Sequence, residues 1–215
     1  MASHIAPLES FLTSIEREAA PSAWDTLQRA CDILLVVVNA PLWVALLAIL
    51  AISKLLIDGG PAFFRHVRLG RNGQPFVLYK IRTTPREFEA QPNDWSDDRF
   101  PERTRFGSWL RQRDLDEIPQ LWNVLKGEMS LIGPRPEMPS HSELFSCRIP
   151  GYAQRLTVLP GLTGLAQARG WRGNTGIRPR TASDLEYLAR RGPRMYFQIL
   201  AKTAALELRR AFLVD

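Results

Sequence analysis

Two adjacent carboxylates and a rigidly framed arginine form the pattern in this chain that is best suited to chemistry. Asp116 and Glu117 come shortly before Pro119, and Arg135 lies further along in a Gly-Pro-Arg-Pro turn. Because proline fixes its own backbone angle and restricts the residue before it, this turn would hold the guanidinium in one place. Carboxylates facing a fixed arginine suit a site that binds phosphate and a metal ion. The competing interpretation is that acidic residues at a helix start only cap it and stabilise its dipole, an effect worth less than about 1 kcal/mol.

The residues after the acidic pair predict a short helix. Ile118, Leu121, Trp122 and Leu125 follow the i, i+3, i+4, i+7 spacing, which predicts a buried helix face. Lys126-Gly127 then predicts the helix end, since glycine tolerates a left-handed cap and lysine complements the C-terminal dipole.

Composition narrows the class of protein without deciding its function. The chain has 215 residues, a net charge of +6 and a pI of about 9.8, which fits one domain with a sizeable core. Four of the 28 basic residues are lysine and the others are arginine, a bias that suits phosphate, anionic headgroups or nucleic acid. Cys31 and Cys147 match no paired motif, so a disulfide framework or a zinc site is not expected.

An uncharged run predicts a membrane segment. Residues 33–53 carry no charged side chain and are long enough, as a helix, to span about 30 Å of hydrocarbon. Pro41 predicts a break in that helix, and Asn39 can satisfy the backbone groups that the break frees. This pattern is compatible with either a kinked single-pass helix or a re-entrant helix. The cations that follow place the C-terminal part in the cytoplasm: Lys54, Arg65, Arg68, Arg71, Lys80 and Arg82.

Two flanking segments are amphipathic. Residues 1–28 place Leu8, Phe11, Leu12 and Ile15 on one helical face, which suits either a partner-packing helix or an interfacial one. Residues 194–212 predict a longer amphipathic helix. Its basic edge suits a membrane surface, and its apolar side is equally suited to packing in the core.

The segment that follows the uncharged run contains turn signals. Gly59-Gly60-Pro61 and Asn72-Gly73 bracket apolar runs and predict a small β-hairpin. Lys80 and Arg82 alternate with apolar residues, so both should project from one strand face. Residues 85–101 and 169–181 predict loops. The glycines of residues 160–164 permit close backbone approach, either for packing or for exposing N–H groups to a phosphate.

The run DEIPQLWNVLKGEMSLIGPRPE, residues 116–137, resembles the signature of bacterial monotopic phosphoglycosyltransferases, a family of sugar transferases. Similar motifs occur at Tyr79-Lys80-Ile81-Arg82-Thr83, at Leu110-Arg111 and at Pro160–Gln167, so that the resemblance covers about residues 29–203. The chain is identified as a minimal catalytic-domain form of that family. It departs from the family at Ala40-Pro41, where Ser-Pro is usual, and at Thr84, where methionine is common.

The resemblance implies an α+β fold, mostly helical, anchored by a proline-broken, re-entrant N-terminal helix with interfacial amphipathic helices and a small hairpin. The expected organisation is an N-terminal amphipathic segment (1–28), a membrane helix broken at Asn39 and Pro41 (29–57) and a cytoplasmic catalytic domain (58–215). The expected location is the bacterial inner membrane, with membrane lipid as a partner. Oligomeric state is left open, with a homodimer among the alternatives.

The resemblance also implies an activity, the transfer of a phosphosugar from a UDP-sugar to polyprenyl (undecaprenyl) phosphate, which initiates glycoconjugate synthesis. By this resemblance Asp116 is the nucleophile of a covalent intermediate, and Glu117 either helps to hold Mg²⁺ with Asp116 or takes the acceptor's proton. Phosphate groups would be bound by Lys80, Arg82, Arg111 and Arg135. Two other classes remain: a membrane-tethered scaffold that binds nucleotide-sugar or partners without catalysis, and a nucleic-acid-binding module, for which the chain shows no motif.

Overall fold

The computed structural model describes residues 22–85, 103–171 and 175–212, with side chains as far as residue 209. Within these ranges the order of elements is helices α1 (Ala23–Val38) and α2 (Ala40–Asp58), strands β1 (Phe63–Leu69) and β2 (Pro75–Ile81), helices α3 (Arg105–Gln112) and α4 (Gln120–Lys126), strand β3 (Ser130–Ile132), helix α5 (Pro139–Arg148), strand β4 (Gly161–Thr163), and helices α6 (Leu165–Ala168), α7 (Ile177–Arg190) and α8 (Pro193–Phe212). This is the mostly helical α+β class predicted from the sequence. The expected amphipathic face of residues 8–15 and nearly all of the 85–101 loop lie outside the described residues.

The apolar segment is divided at Asn39. Helix α1 begins earlier than expected, at Ala23, because Ser22 and Asp25 form a capping box there. It ends where Pro41 can no longer donate to the ladder, and the Asn39 side chain donates to the Leu35 carbonyl at 2.8 Å. Across the break, Trp43 Nε1 donates to the Val36 carbonyl at 3.0 Å. Helix α2 has a mean hydropathy of 2.2 and is the one helix in the described ranges whose length and composition suit a membrane span.

Polar side chains fasten α1 to the rest of the protein. Gln28 Nε2 donates to Ser130 Oγ at 2.7 Å and to the Ile132 carbonyl at 2.8 Å. Asp32 accepts from the Leu131 N–H and from the Tyr196 hydroxyl. These bonds fix the apolar segment's first helix directly against β3, the strand that leads to the Gly-Pro-Arg-Pro turn.

The far end of α2 contacts the same body. Leu50 packs in one apolar cluster with Ile81 and Leu110. Asp58 forms a 2.6 Å ion pair with the fully buried Lys54 and accepts a 2.6 Å hydrogen bond from Thr104, the N-cap of α3. One end of the broken segment therefore contacts β3 and the other contacts β2 and α3.

The predicted hairpin is confirmed. Strands β1 and β2 are antiparallel, with Phe64 opposite Lys80 and Arg68 opposite Phe76. The connection takes a positive φ at Asn72 and at Gly73, which suits the Asn-Gly pair. Phe76 and Leu78 bury one face of the hairpin, whereas Ile81 is buried on the other face, against Leu50 and Leu110.

A second, very small sheet supports the Arg135 turn. Strands β3 and β4 are parallel, with Ser130 opposite Gly161 and Ile132 opposite Thr163. A Cβ atom on Gly161 would lie 2.1 Å from the Gly133 nitrogen, and one on Gly164 would lie 2.2 Å from the Gly133 oxygen. Of the two roles considered for these glycines, the structure therefore shows close backbone packing.

The expected buried face of α4 is confirmed only in part. Ile118, Leu121 and Leu125 are partly buried and pack against the core, but Trp122 is 54% exposed, and the fully buried residues of the helix are Gln120, Asn123 and Val124. The reason is that the Asn123 amide bonds the β2 backbone at Val77 and Tyr79, which turns the polar side inward. The loop expected over residues 169–181 also ends sooner, since α7 begins at Ile177.

Candidate active site

Asp116 and Glu117 lie in a single 3-10 turn, Leu115–Glu117, between α3 and α4. Asp114 starts the turn in a left-handed conformation (φ 52°), which aspartate tolerates better than most residues. Both carboxylates are buried, with only 1% of Asp116 and 5% of Glu117 exposed. Buried carboxylates need compensating charge, and three cations supply it.

The three cations come from three separate parts of the chain. Glu117 Oε1 lies 2.7 Å from Lys80 Nζ and 2.6 Å from Arg135 Nη2, and Glu117 Oε2 lies 3.3 Å from Arg135 Nη1. Asp116 Oδ2 lies 2.8 Å from Arg111 Nη1 and 3.9 Å from Lys80 Nζ. The bidentate contact of Arg135 is the strongest geometry that a carboxylate and a guanidinium can form.

These contacts set the charge state of the site. Burial alone would raise the pKa of Glu117, but the charges of Arg135 and Lys80 and their hydrogen bonds outweigh it and hold that pKa well below 4.5. Burial lowers the pKa of Lys80, an effect that Glu117 opposes. Glu117 is thus ionised at neutral pH. It binds Lys80 and Arg135, and it is a poor base.

Each cation is held by its own local structure. Lys80 is on β2, whose backbone is bonded to Asn123, and Arg111 is in the last turn of α3. The Arg135 carbonyl accepts a 3.0 Å hydrogen bond from Arg155 Nη2, and the buried Arg155 forms a 2.8 Å ion pair with Asp184 on α7. The arrangement therefore depends on helices and strands far apart in sequence.

One oxygen in the site has no partner. Asp116 Oδ1 is buried and accepts no hydrogen bond, while Oδ2 is held by Arg111. Asp114, Asp116 and Glu117 each offer a ligand atom, and these atoms all lie within 4.8 Å of one another. Carboxylate oxygens in such a group suit a hard divalent cation such as Mg²⁺. An orphaned buried oxygen is costly in isolation, so it indicates an external partner, either metal or substrate.

The structure brings together five of the six catalytic and phosphate-binding residues predicted from the sequence: Asp116, Glu117, Lys80, Arg111 and Arg135. The sixth, Arg82, lies just beyond β2 with its guanidinium 5.6 Å from the centre of the Phe64 ring, and in the described ranges no ion pair joins it to either carboxylate. Sequence reasoning missed Asp114, although it was visible as the first acid of Asp-Leu-Asp-Glu.

Comparison with known proteins finds one matching family model and several similar proteins. The sequence model of the family described as "Bacterial sugar transferase" matches residues 23–210. The UDP-glucose:undecaprenyl-phosphate glucose-1-phosphate transferase of Caulobacter vibrioides is 43% identical over 176 residues, which cover 77% of this chain and 64% of that protein. The Escherichia coli protein of the same name is 38% identical over 75% of this chain and 36% of its own length. The exopolysaccharide production protein PSS of Rhizobium leguminosarum is 37% identical over 86% of this chain and 96% of its own length.

The ion pairs of Glu117 predict a large effect on stability. We expect Glu117→Gln to lower the free energy of unfolding at pH 7 by about 3 kcal/mol, because it leaves Lys80 and Arg135 buried without their anion. The surface variant Glu186→Gln, which also loses arginine contacts, should have a much smaller effect. Denaturant titration in detergent, followed by tryptophan fluorescence, measures both.

The pH dependence of that difference follows from the lowered pKa. A carboxylate whose pKa is lower in the folded protein than in the unfolded chain stabilises the fold fully at any pH above its unfolded pKa, near 4.5. That contribution to the free energy of unfolding is lost as the pH falls through the pKa of the folded protein. The gap between the native protein and Glu117→Gln should therefore be constant from pH 5 to 8 and shrink below about pH 4. A gap that already shrinks between pH 7 and 5 would show that the cations do not hold Glu117 ionised.

Proposed function

Because this chain belongs to the bacterial sugar transferase family, we propose that it transfers a sugar-1-phosphate from a UDP-sugar to undecaprenyl phosphate. The chain spans less than two thirds of the first relative's own length and about a third of the Escherichia coli protein's, so the activity rests on its own site as well as on its relatives. The observation that carries the proposal is Asp116, buried among cations with one oxygen held by Arg111 and the other without a partner.

Asp116 is the nucleophile. Its Oδ1 attacks the sugar-bearing β-phosphorus of the donor, a phosphorus–oxygen bond forms, and the bond from that phosphorus to the bridging oxygen breaks. The electron pair leaves with UMP. The phosphate of the acceptor then attacks the same phosphorus, which releases Asp116 and yields undecaprenyl diphosphosugar. Covalent catalysis of this kind divides one difficult displacement into two easier ones.

The cations make the first step feasible. A carboxylate and a diphosphate repel each other, and at 4 Å two unit charges interact by about 4 kcal/mol at an effective dielectric constant near 20. Lys80 and Arg135 contact Glu117, and Arg111 contacts Asp116, so these cations offset the negative charge of the acidic pair. The fixed cations also stabilise charge that builds up on the transferred phosphate.

Glu117 acts by placing those cations. A carboxylate whose pKa is held well below its usual range binds protons weakly, so it is unsuited to take a proton from the acceptor. The acceptor needs little help, because a phosphate monoester has its second pKa near 6 and is largely a dianion at neutral pH.

Mg²⁺ is the cofactor that the acidic group fits. Asp114, Asp116 and Glu117 would hold it, because each offers a carboxylate oxygen and these atoms all lie within 4.8 Å of one another. When bound, the ion supplies charge neutralisation for the donor diphosphate.

The apolar segment anchors the site at the inner membrane as a re-entrant helix, with the catalytic part on the cytoplasmic face. Residues near its start bond to β3, and residues near its end pack on β2 and α3. A segment that crossed the bilayer would put one of these contacts on the far side. Large apolar side chains remain exposed on both arms, as expected for lipid contact: Leu34, Val37, Val38, Leu42, Ile49, Ile52 and Leu56.

Turnover tests the reaction. We expect the native protein, with Mg²⁺ and detergent-solubilised undecaprenyl phosphate, to release UMP from one member of a UDP-sugar panel that starts with UDP-glucose. Asp116→Asn should lower the rate by at least about 10⁴-fold, because it removes the nucleophile. Glu117→Gln should lower it by about 10²–10³-fold, because Lys80 and Arg135 lose the anion that positions them. EDTA should abolish turnover and Mg²⁺ should restore it.

The variant Glu143→Gln, which removes one exposed negative charge outside the acidic group, is the matched control and should keep full activity. UMP release at the native rate by Asp116→Asn would contradict the nucleophile assignment. A folded native protein that binds UDP-sugar yet releases no UMP from any donor would favour a non-catalytic scaffold.

Thiol accessibility tests the topology. With Cys31 and Cys147 replaced by serine, single cysteines at Thr26 and at Pro61, both exposed positions flanking the broken segment, should react with a membrane-impermeant reagent only from the cytoplasmic side. A cysteine at Leu42 should be protected from both sides. Labelling of the Thr26 and Pro61 positions from opposite sides would contradict the re-entrant arrangement.

A further inference from the structure

Arg68 lies on the same face of the hairpin as Lys80. Successive residues of a strand alternate between faces, so Phe64 and Arg68 share one face of β1. Directly opposite residues of an antiparallel pair also point to the same side, and Phe64 is opposite Lys80. Arg68 is therefore aligned with the strand face that contacts Glu117.

The Arg135 turn lies next to Arg68. The N–H of the neighbouring Leu69 donates to the Glu137 carbonyl at 3.0 Å, which ties the end of β1 to this turn. The Arg68 guanidinium is within electrostatic range of Glu137, Arg135, Glu117 and Arg111.

Arg68 differs from the other cations of the site in having no anion bonded to it. Lys80, Arg111 and Arg135 are each committed to the acidic pair, and Glu137 is taken by Arg180 at 2.7 Å. In the parts of the chain that the structure describes, no hydrogen bond or ion pair joins the Arg68 side chain to another residue. Burial lowers the pKa of Arg68 to about 10, so it remains a cation at neutral pH, and its planar fork of donors is available to an anion.

The position of Arg68 along the strand indicates which of the two substrates it can contact. Ile81, at the end of the hairpin that carries Lys80, packs against Leu50 of the apolar helix α2. Arg68 is four residues beyond Phe64, about 13 Å further along the strand at ~3.3 Å per residue. The acceptor's phosphate arrives from the lipid, whereas the UDP-sugar arrives from water. Arg68 is thus at the donor end of the site.

We propose that Arg68 is a substrate-binding residue that holds the α-phosphate of the UDP-sugar, the phosphate that leaves as UMP. This rests on the proposed function. When Asp116 bonds to the β-phosphorus and the bridging bond breaks, the electron pair moves onto an oxygen of the α-phosphate. Arg68 meets that charge with two N–H donors, while Lys80, Arg111 and Arg135 serve the transferred β-phosphate. The same contact binds the donor before the reaction and the UMP product after it.

The test compares Arg68→Gln and Arg68→Lys with Arg65→Gln, which removes the same charge from the opposite, exposed face of β1. For Arg68→Gln we expect the KM for UDP-sugar to rise by at least tenfold, kcat to fall by about 10–100-fold, and inhibition by added UMP to weaken by at least tenfold. Arg68→Lys should be intermediate, because it keeps the charge without the fork. The KM for undecaprenyl phosphate should stay within twofold of the native value in both variants, and Arg65→Gln should match the native protein throughout.

The outcomes separate this inference from the proposed function. A native protein without turnover would overturn both. If the native protein turns over and the folded Arg68 variants keep the native donor KM and the native inhibition by UMP, only the role of Arg68 is overturned. The same conclusion follows if only the KM for undecaprenyl phosphate rises. It also follows if Arg65→Gln loses as much activity as Arg68→Gln. Thermal melting of each variant establishes folding, and if Arg68→Gln does not fold, Arg68→Lys decides the matter alone.

Discussion

The buried anion Glu117 is the interaction on which the rest of this structure depends. Its two oxygens bind Lys80 from the hairpin and Arg135 from the Gly-Pro-Arg-Pro turn, two parts of the chain that are far apart in sequence. Removing a buried acid from its cations costs several kcal/mol, so the contact fixes the relative position of the elements as well as their charge. Asp116, the next residue in the same turn, can then hold one oxygen on Arg111 and leave the other without a partner.

The apolar segment is built into this arrangement. Gln28 and Asp32 on α1 bond to β3, and β3 leads directly into the turn that carries Arg135. On the other side, Asp58 at the end of α2 bonds Thr104, the cap of the helix that carries Arg111. Two of the three cations are thus braced by the segment that we assign to the membrane. If the site acts on a lipid-borne phosphate as proposed, this coupling explains how it can meet the membrane and also be rigid.

Much of this could be predicted from local sequence, and the rest depends on packing. The break at Asn39, the hairpin around Asn72-Gly73 and the importance of residues 116–135 follow from strong local signals: proline, glycine and a distinctive run. The buried face of α4 could be predicted only in part by periodicity, because Asn123 bonds the neighbouring strand and turns Trp122 outward. The proposed role of Arg68 could not be predicted for a similar reason, since a strand cation resembles any solvated charge until the register shows which face it shares.

Intact-protein mass spectrometry tests the central claim, that Asp116 is the covalent centre of the site, most directly. The detergent-solubilised protein is mixed with its UDP-sugar and Mg²⁺ in the absence of acceptor, and its mass is measured before and after undecaprenyl phosphate is added. We expect an increment equal to one phosphosugar, located on the peptide that contains Asp116, absent from Asp116→Asn and removed by the acceptor. UMP release that requires both substrates together, with no increment on the native protein even after rapid quenching, would contradict it.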